Sequence, residues 1–129
     1  MTQQQQPFNM PDSTNEFDPQ DIEANKVMGG LAYILFFLPL IAAPQSKYAR
    51  FHSNQGLLLV LLSVALEIVI WIISLLIFSI FSYGLWAVWG IVTTVLWLGI
   101  AALGIIGLIN GFTGKAKELP IIGKIKIIK

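Results

Sequence analysis

GLLLVLLSVALEIVIWIISLLIFSIFS, residues 56–82, is the stretch that decides the fold of this chain. Its one charged residue is Glu67, and all its other residues are apolar, small or hydroxyl-bearing. A helix of this length, rising ~1.5 Å per residue, exceeds the ~30 Å hydrocarbon core of a bilayer. A soluble helix keeps a continuous polar face, which this run lacks. The stretch therefore predicts a transmembrane helix.

The composition of the whole chain favours the same class. The 129 residues are 56% hydrophobic and 12% charged, whereas an average soluble domain is about 25% charged. The chain has no cysteine and one histidine, which excludes thiolate chemistry and a multi-histidine metal site. No nucleophile–base pair, paired carboxylates or phosphate loop is recognisable. We therefore expect a non-enzymatic protein with no cofactor, no metal and no nucleic-acid partner.

Two further apolar runs flank the central one. Residues 27–43 form a short run that contains Pro39, and we interpret it as a crossing helix, with a re-entrant helix as the alternative. Residues 85–112 form a long run, and the short turn before it predicts a tight hairpin with the run at 56–82. The sequence thus predicts an all-α integral membrane protein with three transmembrane helices. Four are possible only if one of the long runs is divided.

Polar segments lie outside these spans. Residues 1–17 are rich in Gln and Asn and predict a disordered polar tail. The helical membrane domain, residues 18–129, begins at the N-cap sequence Asp18–Pro19. We expect a polar loop at residues 44–55. The basic juxtamembrane tail, residues 113–129, is suited to anchoring the topology or to binding anionic lipid headgroups.

The orientation is predicted from the cations next to the spans. Lys47, Arg50, Lys115 and Lys117 fall on the side that holds the first loop and the C-terminus, against Lys26 on the other side. We therefore expect a multi-pass protein of the cell membrane, with the N-terminus outside and the C-terminus in the cytoplasm.

Glu67 is the candidate functional residue within the spans. It lies near the expected bilayer midplane, where an acid is costly, and no Lys or Arg lies in any span to pair with it. We expect it to face protein, with Tyr33 or Ser63 as its hydrogen-bond partner. Counting outward from the hairpin turn predicts that Ser74 lies opposite Thr93, so that hydroxyl groups pair across the hairpin.

A second candidate region is RFHSNQG, residues 50–56. Arg50 and His52 are suited to binding a lipid phosphate or a carboxylate of a partner. Residues 53–55 are suited to capping the start of the central helix. An anion site and a capped helix start both remain open. The candidate functional residues of the chain are therefore Tyr33, Arg50, His52, Gln55, Gly56 and Glu67.

Three stretches together resemble a known family: DIEANKVMGGLAYILFFLPLI, SKYARFHSNQGLLL and GIIGLINGFTGKAKELPIIG. The family is a widespread group of small, uncharacterised bacterial membrane proteins. It is similar, more distantly, to the small multi-span component of the chloroplast inner-envelope protein-import translocon, whose members are described with four spans. The resemblance covers about residues 20–128, and RFHSNQG is its most specific part. It implies a helical membrane fold with a channel-like or translocation-associated role.

Two functions follow as hypotheses. The first is a subunit of a membrane assembly, such as a pore or translocation complex, whose small-residue faces bind copies of itself or partner helices. The second is a proton- or ion-coupled carrier that acts as an oligomer through Glu67. The expected partners are the lipid bilayer, including anionic lipids, and other membrane helices in a homo-oligomer or a larger complex.

Overall fold

Two long antiparallel helices dominate the molecule, a computed structural model that describes residues 12–80 and 83–128. Within these ranges the regular elements are all helical, with no β-strand. A single 3-10 turn precedes the first helix. The α-helices are α1 (Pro19–Leu31), α2 (Leu38–Ala42), α3 (Lys47–Ile80) and α4 (Tyr83–Phe112).

Helices α3 and α4 form the predicted hairpin. Near the turn, the indole Nε1 of Trp89 donates a hydrogen bond to Ser74 Oγ at 2.9 Å. Near the other end, a Cβ added to Gly104 would lie 3.5 Å from the side chain of Leu59. The two helices are therefore in contact at points fifteen positions apart on each helix and run antiparallel, as the predicted hairpin requires.

The register of the hairpin differs from the prediction. Ser74 lies opposite Trp89 and not opposite Thr93, whose hydroxyl donates to the Gly90 carbonyl of its own helix. The reason is the position of the turn, since α4 already begins at Tyr83, the residue on which the prediction centred the turn. The predicted pairing of hydroxyl groups across the hairpin was wrong.

The apolar side chains of the hairpin face outward. Trp71 and Leu75, for example, are each 62% exposed. Both α3 and α4 are long and apolar enough to cross a membrane, and little of their most apolar stretch is buried inside the molecule. The core helix of a soluble protein would be covered by its neighbours, because large uncovered apolar patches are rare in soluble monomers. The two helices therefore indicate a membrane location.

The predicted crossing helix at residues 27–43 is not formed. Helix α1 ends at Leu31, the chain turns, and α2 has only five residues, a length of ~8 Å. Pro39 lies in the first turn of α2. Backbone N–H groups there have no acceptor within the helix, so proline, which lacks this N–H, is tolerated. The described ranges thus contain two helices long enough to cross a membrane, not three or four.

The segment formed by α1 and α2 runs along α3 and then returns. At its start, the Asp21 carboxylate binds the hydroxyl of Ser46. After α1, the Ala32 carbonyl lies so close to Gly56 that a Cβ added there would collide with it. Helix α2 then leads back to Ser46. The segment enters and leaves at the same end of the hairpin, which corresponds to the re-entrant alternative.

Residues 12–17, which belong to the predicted disordered tail, pack against the C-terminal segment. Asp12 forms an isolated β-bridge with Lys117. The backbone N–H of Ser13 donates to the Ala116 carbonyl at 2.9 Å. The remainder of the predicted tail, up to residue 11, lies outside the described residues.

Both ends of the described chain therefore lie at the same end of the hairpin. We call this part the polar head, residues 12–55 and 110–128. An N-terminus outside and a C-terminus in the cytoplasm would require an odd number of crossings. The contact between Asp12 and Lys117 instead places residue 12 beside the segment that follows α4, so the structure does not support the predicted orientation.

Candidate functional site

The polar head contains the region singled out by the sequence, but that region is helical. Helix α3 begins at Lys47, so most of the loop predicted at residues 44–55 forms its first turns. Residues 53–55 consequently lie inside the helix and do not cap it. The start of α3 is capped by a neighbouring segment.

Asp21 caps α3 from α1. Its carboxylate accepts hydrogen bonds from the Ser46 hydroxyl at 2.6 Å, the Tyr48 backbone N–H at 3.0 Å and the Asn25 side-chain amide at 2.8 Å. Burial by itself raises the pKa of Asp21, but these hydrogen bonds outweigh it and hold the pKa below its usual value. The sequence showed only that Asp21 is an acid in the first turn of α1, and nothing in it indicated that Asp21 caps α3.

His52 is fully buried and uses both ring nitrogens within the chain. Nε2 lies 2.9 Å from the Lys115 carbonyl, which accepts hydrogen bonds only, so Nε2 carries the proton. Nδ1 lies 2.6 Å from the hydroxyl of Tyr33, which therefore donates. Burial raises the pKa of Tyr33 well above its usual value, so the hydroxyl stays protonated. His52 is thus closed to a lipid phosphate and does not form an anion site with Arg50.

Tyr48 joins α3 to the end of α4. Its hydroxyl donates to the Gly111 carbonyl at 2.7 Å, one of the groups that a helix leaves unpaired at its C-terminus. The backbone of Gly29 in α1 touches Gly111 so closely that a Cβ on Gly111 would collide with it. The ring of Tyr33 fills the space at Gly107 in the same way. These two α4 glycines therefore serve packing within the chain.

Gln55 is the link between α3 and the C-terminal segment. Its Oε1 accepts from the Leu119 backbone N–H at 2.9 Å, and its Nε2 donates to the Gly123 carbonyl at 3.0 Å. A side-chain amide offers the same donor and acceptor as a peptide group. Gln55 has no exposed surface. Its side-chain amide therefore supplies the hydrogen bonds that a neighbouring strand would otherwise give to the backbone of this segment.

Asn54 repeats this arrangement one position earlier. Its Nδ2 donates to the Ile125 carbonyl at 2.8 Å, and its Oδ1 accepts from the backbone N–H groups of Ile127 and Ile128 at 2.7 and 3.0 Å. The two adjacent amides thus hold about ten residues of the C-terminal segment against α3. This role was not predicted. From the sequence alone, Asn54 and Gln55 resemble capping residues, and only the folded position of the C-terminal segment shows that they bind it.

Comparison with known proteins adds nothing to this geometry. No family model, curated protein or solved structure matches the chain. In the part of the chain that the structure describes, no group of His, Asp and Glu is arranged to hold a metal ion. The role of the polar head must therefore be inferred from its own contacts.

Glu67 lies half-buried on α3, away from the polar head. The predicted partners are engaged elsewhere, since Tyr33 bonds His52 and the Ser63 hydroxyl donates to the Leu59 carbonyl. No hydrogen bond or ion pair joins Glu67 to any residue within 12–80 or 83–128. The hairpin contacts place it level with residues 96–97 of α4.

The arrangement separates the six candidate residues into two groups. Tyr33, His52, Gln55 and Gly56 are used in internal contacts. Arg50 is exposed on the polar head, and Glu67 is unpaired within the described ranges. These two residues remain free to contact something outside the chain.

Proposed function

We propose that the protein is a non-enzymatic subunit of a membrane assembly that crosses the bilayer twice as a helical hairpin. The observation that carries this proposal is the contrast between the two parts of the molecule. Apart from Glu67 the hairpin beyond the polar head is uncharged, and its apolar side chains are uncovered, whereas every other charged residue that the structure describes lies in the polar head, beside the apolar segment of α1 and α2. A helical hairpin satisfies its backbone internally, as hydrocarbon requires. Its outward side chains are then available only to lipid or to other helices.

The polar head lies in the cytoplasm in this proposal. All Lys and Arg residues that the structure describes belong to the polar head, and the turn of the hairpin between residues 80 and 83 carries no charge. Cations next to membrane spans favour the cytoplasmic side. Both termini are therefore cytoplasmic, and the turn faces the opposite compartment.

Assembly is supported by open positions on α4. Around Gly90 and Gly99, no described atom outside the local helix backbone lies within 4 Å of where a Cβ would be, whereas Gly107 and Gly111 are filled by α1 and the turn after it. Small residues let helices approach closely in lipid. Two helices cannot enclose a pathway, so a pore or translocation role, as the family resemblance implies, requires further chains.

Glu67 supports the same proposal and also its alternative. An acid at this depth costs roughly 2.5–3.5 kcal/mol on insertion scales, and no described residue of the chain compensates it. A donor on a neighbouring chain would do so in an assembly. In the alternative, a proton- or ion-coupled carrier, the carboxyl group would instead be reached by water inside an oligomer.

Native mass spectrometry of the protein extracted in mild detergent tests the assembly. We expect a mass above that of the single 14.3 kDa chain. Gly99→Leu, which fills an open position, should reduce this species, while the volume-conserving Leu98→Ile next to it should not. A wild-type protein that is entirely a single chain without partners would contradict the proposal. Proton uptake by proteoliposomes that Glu67→Gln abolishes would favour the carrier.

A further inference from the structure

A cavity of about 270 Å³ opens on the polar head between the start of α3 and the end of the described chain. Three cations border it, and its remaining wall is mostly aromatic and aliphatic. No acidic side chain among the described residues lines it. The lining consists of the basic Lys47, Arg50 and Lys126 and the apolar Phe17, Phe51 and Ile128, with Asn54 between them.

None of the three cations forms an ion pair with a residue that the structure describes. Within residues 12–80 and 83–128 the one ion pair joins Lys26 and Glu23, at 2.8 Å. The carboxylate of Asp21, which caps the same end of α3, already accepts three hydrogen bonds. The cavity thus concentrates positive charge that the described chain does not neutralise.

The fold builds this cavity from three separate segments. Lys47, Arg50, Phe51 and Asn54 recur on α3 at spacings of three and four residues, which places them on one face. Asn54 is 3% exposed and binds the backbone on both sides of Lys126, thereby holding that lysine beside α3. From the N-terminal side, the ring of Phe17 packs edge-on against Phe51 with 5.5 Å between the ring centres.

The cavity lies just before the apolar part of α3. Its α3 residues precede Gly56, where the apolar run of α3 begins, by two to nine positions, or about 3–14 Å along the helix. A membrane crossed by the hairpin would therefore place its phosphate layer beside Arg50.

We propose that this cavity binds the phosphate group of an anionic lipid. The guanidinium of Arg50 suits two phosphate oxygens at once, Lys47 and Lys126 supply further charge, and the rings of Phe17 and Phe51 contact the apolar part of the lipid. Basic pockets on the cytoplasmic side of membrane proteins bind headgroups in this way. The assignment of the phosphate to a lipid rests on the proposed insertion of the hairpin into a membrane. The affinity of the cavity for a phosphate group does not depend on that insertion.

Lipid titration in detergent tests the site without requiring the hairpin to cross a bilayer or the chains to assemble. Phosphatidylglycerol or phosphatidylcholine is added to purified protein, and lipid-bound species are counted by native mass spectrometry. We expect a preference for phosphatidylglycerol. Arg50→Gln and Lys126→Gln should each weaken its binding about fivefold, from roughly 1 kcal/mol per basic residue.

Lys124→Gln is the matched control, since it removes the same charge from the same segment but does not line the cavity. Its binding should equal that of the wild type, and unchanged melting temperatures should show that the variants fold. Equal losses for Lys126→Gln and Lys124→Gln would overturn the site in favour of diffuse attraction. Absence of a preference for phosphatidylglycerol would also overturn it. Displacement of the lipid by inorganic phosphate at a similar concentration would overturn the lipid assignment.

Discussion

Single side chains hold the C-terminal segment of this molecule in place. Residues 113–128 contain no helix or strand, and only some of their backbone groups bond one another, so the others depend on partners from elsewhere. Gln55 and Asn54 supply five such hydrogen bonds, and His52 accounts for one more at the Lys115 carbonyl. The stability of the polar head should therefore be sensitive to individual polar residues.

Gln55→Ala tests this dependence. The change leaves the Leu119 N–H and the Gly123 carbonyl unpaired at a buried position, and each unmade hydrogen bond of this kind costs about 1–3 kcal/mol. We expect a large drop in the thermal midpoint measured in detergent, with new protease cleavage in residues 119–128. Gln45→Ala, at an exposed position, is the control. Equal midpoints for the two variants would show that Gln55 does not hold the segment.

Asp21→Asn tests the cap of α3 through its dependence on pH. The hydrogen bonds from Ser46, the Tyr48 N–H and Asn25 hold the pKa of Asp21 below its usual value. This stabilisation is complete above the ordinary carboxyl pKa of ~3.9 and is lost as the pH falls through the lower pKa of the folded protein. The variant should therefore melt below the wild type at neutral pH, and the difference should shrink under acid conditions. A difference that stays constant down to pH ~3 would contradict the role of the carboxylate.

At the scale of elements, the sequence was informative wherever the signal was local. The apolar run at 56–82 and the run after it predicted the two long helices and their hairpin, because length and hydropathy decide whether a helix suits a bilayer. The re-entrant path of α1 and α2 was not predicted as the main interpretation. The apolar run at 27–43 is long enough for a crossing helix or for a re-entrant segment. Contacts of this segment with Gly56 and Gly111 favour the re-entrant path.

The start of α3 shows why the candidate region was only partly understood. Residues 47–55 are polar and adjoin a membrane span, which is typical of a loop, yet they are helical because bonds from other segments surround them. Arg50 was expected at the surface and lies there. The burial of His52 depends on Tyr33 and Lys115, 19 and 63 positions away, and no local pattern reveals such partners.

The crossing of α1 and α4 depends on the absence of a side chain at Gly111. A Cβ there would meet the backbone of Gly29 and Gly30, which cannot yield without moving α1. We expect Gly111→Ala to destabilise the protein by about 1–3 kcal/mol, as overpacking does. Gly84→Ala, in open space on the same helix, should not destabilise it, because alanine is the better helix former. Thermal melts in detergent measure both, and destabilisation by Gly84→Ala or its absence in Gly111→Ala would contradict the packing.

For the molecule as a whole, the central claim is that a hairpin crosses the membrane and both ends of the described chain share one side. The bridge between Asp12 and Lys117 supports the shared side. The distribution of charge supports the crossing, since residues 56–112 contain no charged residue except Glu67. All other charges of the chain lie outside this stretch, which gives the molecule one charged end and one uncharged end.

Labelling of single cysteines tests this claim most directly, because the chain has no cysteine of its own. Gln20→Cys, Gly84→Cys and Lys124→Cys are each exposed in intact cells to a maleimide that cannot cross membranes, and again after permeabilisation. We predict that Gly84→Cys is labelled in intact cells and that the other two are labelled only after permeabilisation. Labelling of Gln20→Cys but not Lys124→Cys in intact cells would establish an odd number of crossings and contradict the hairpin topology. Identical behaviour of all three positions would show that the hairpin does not cross.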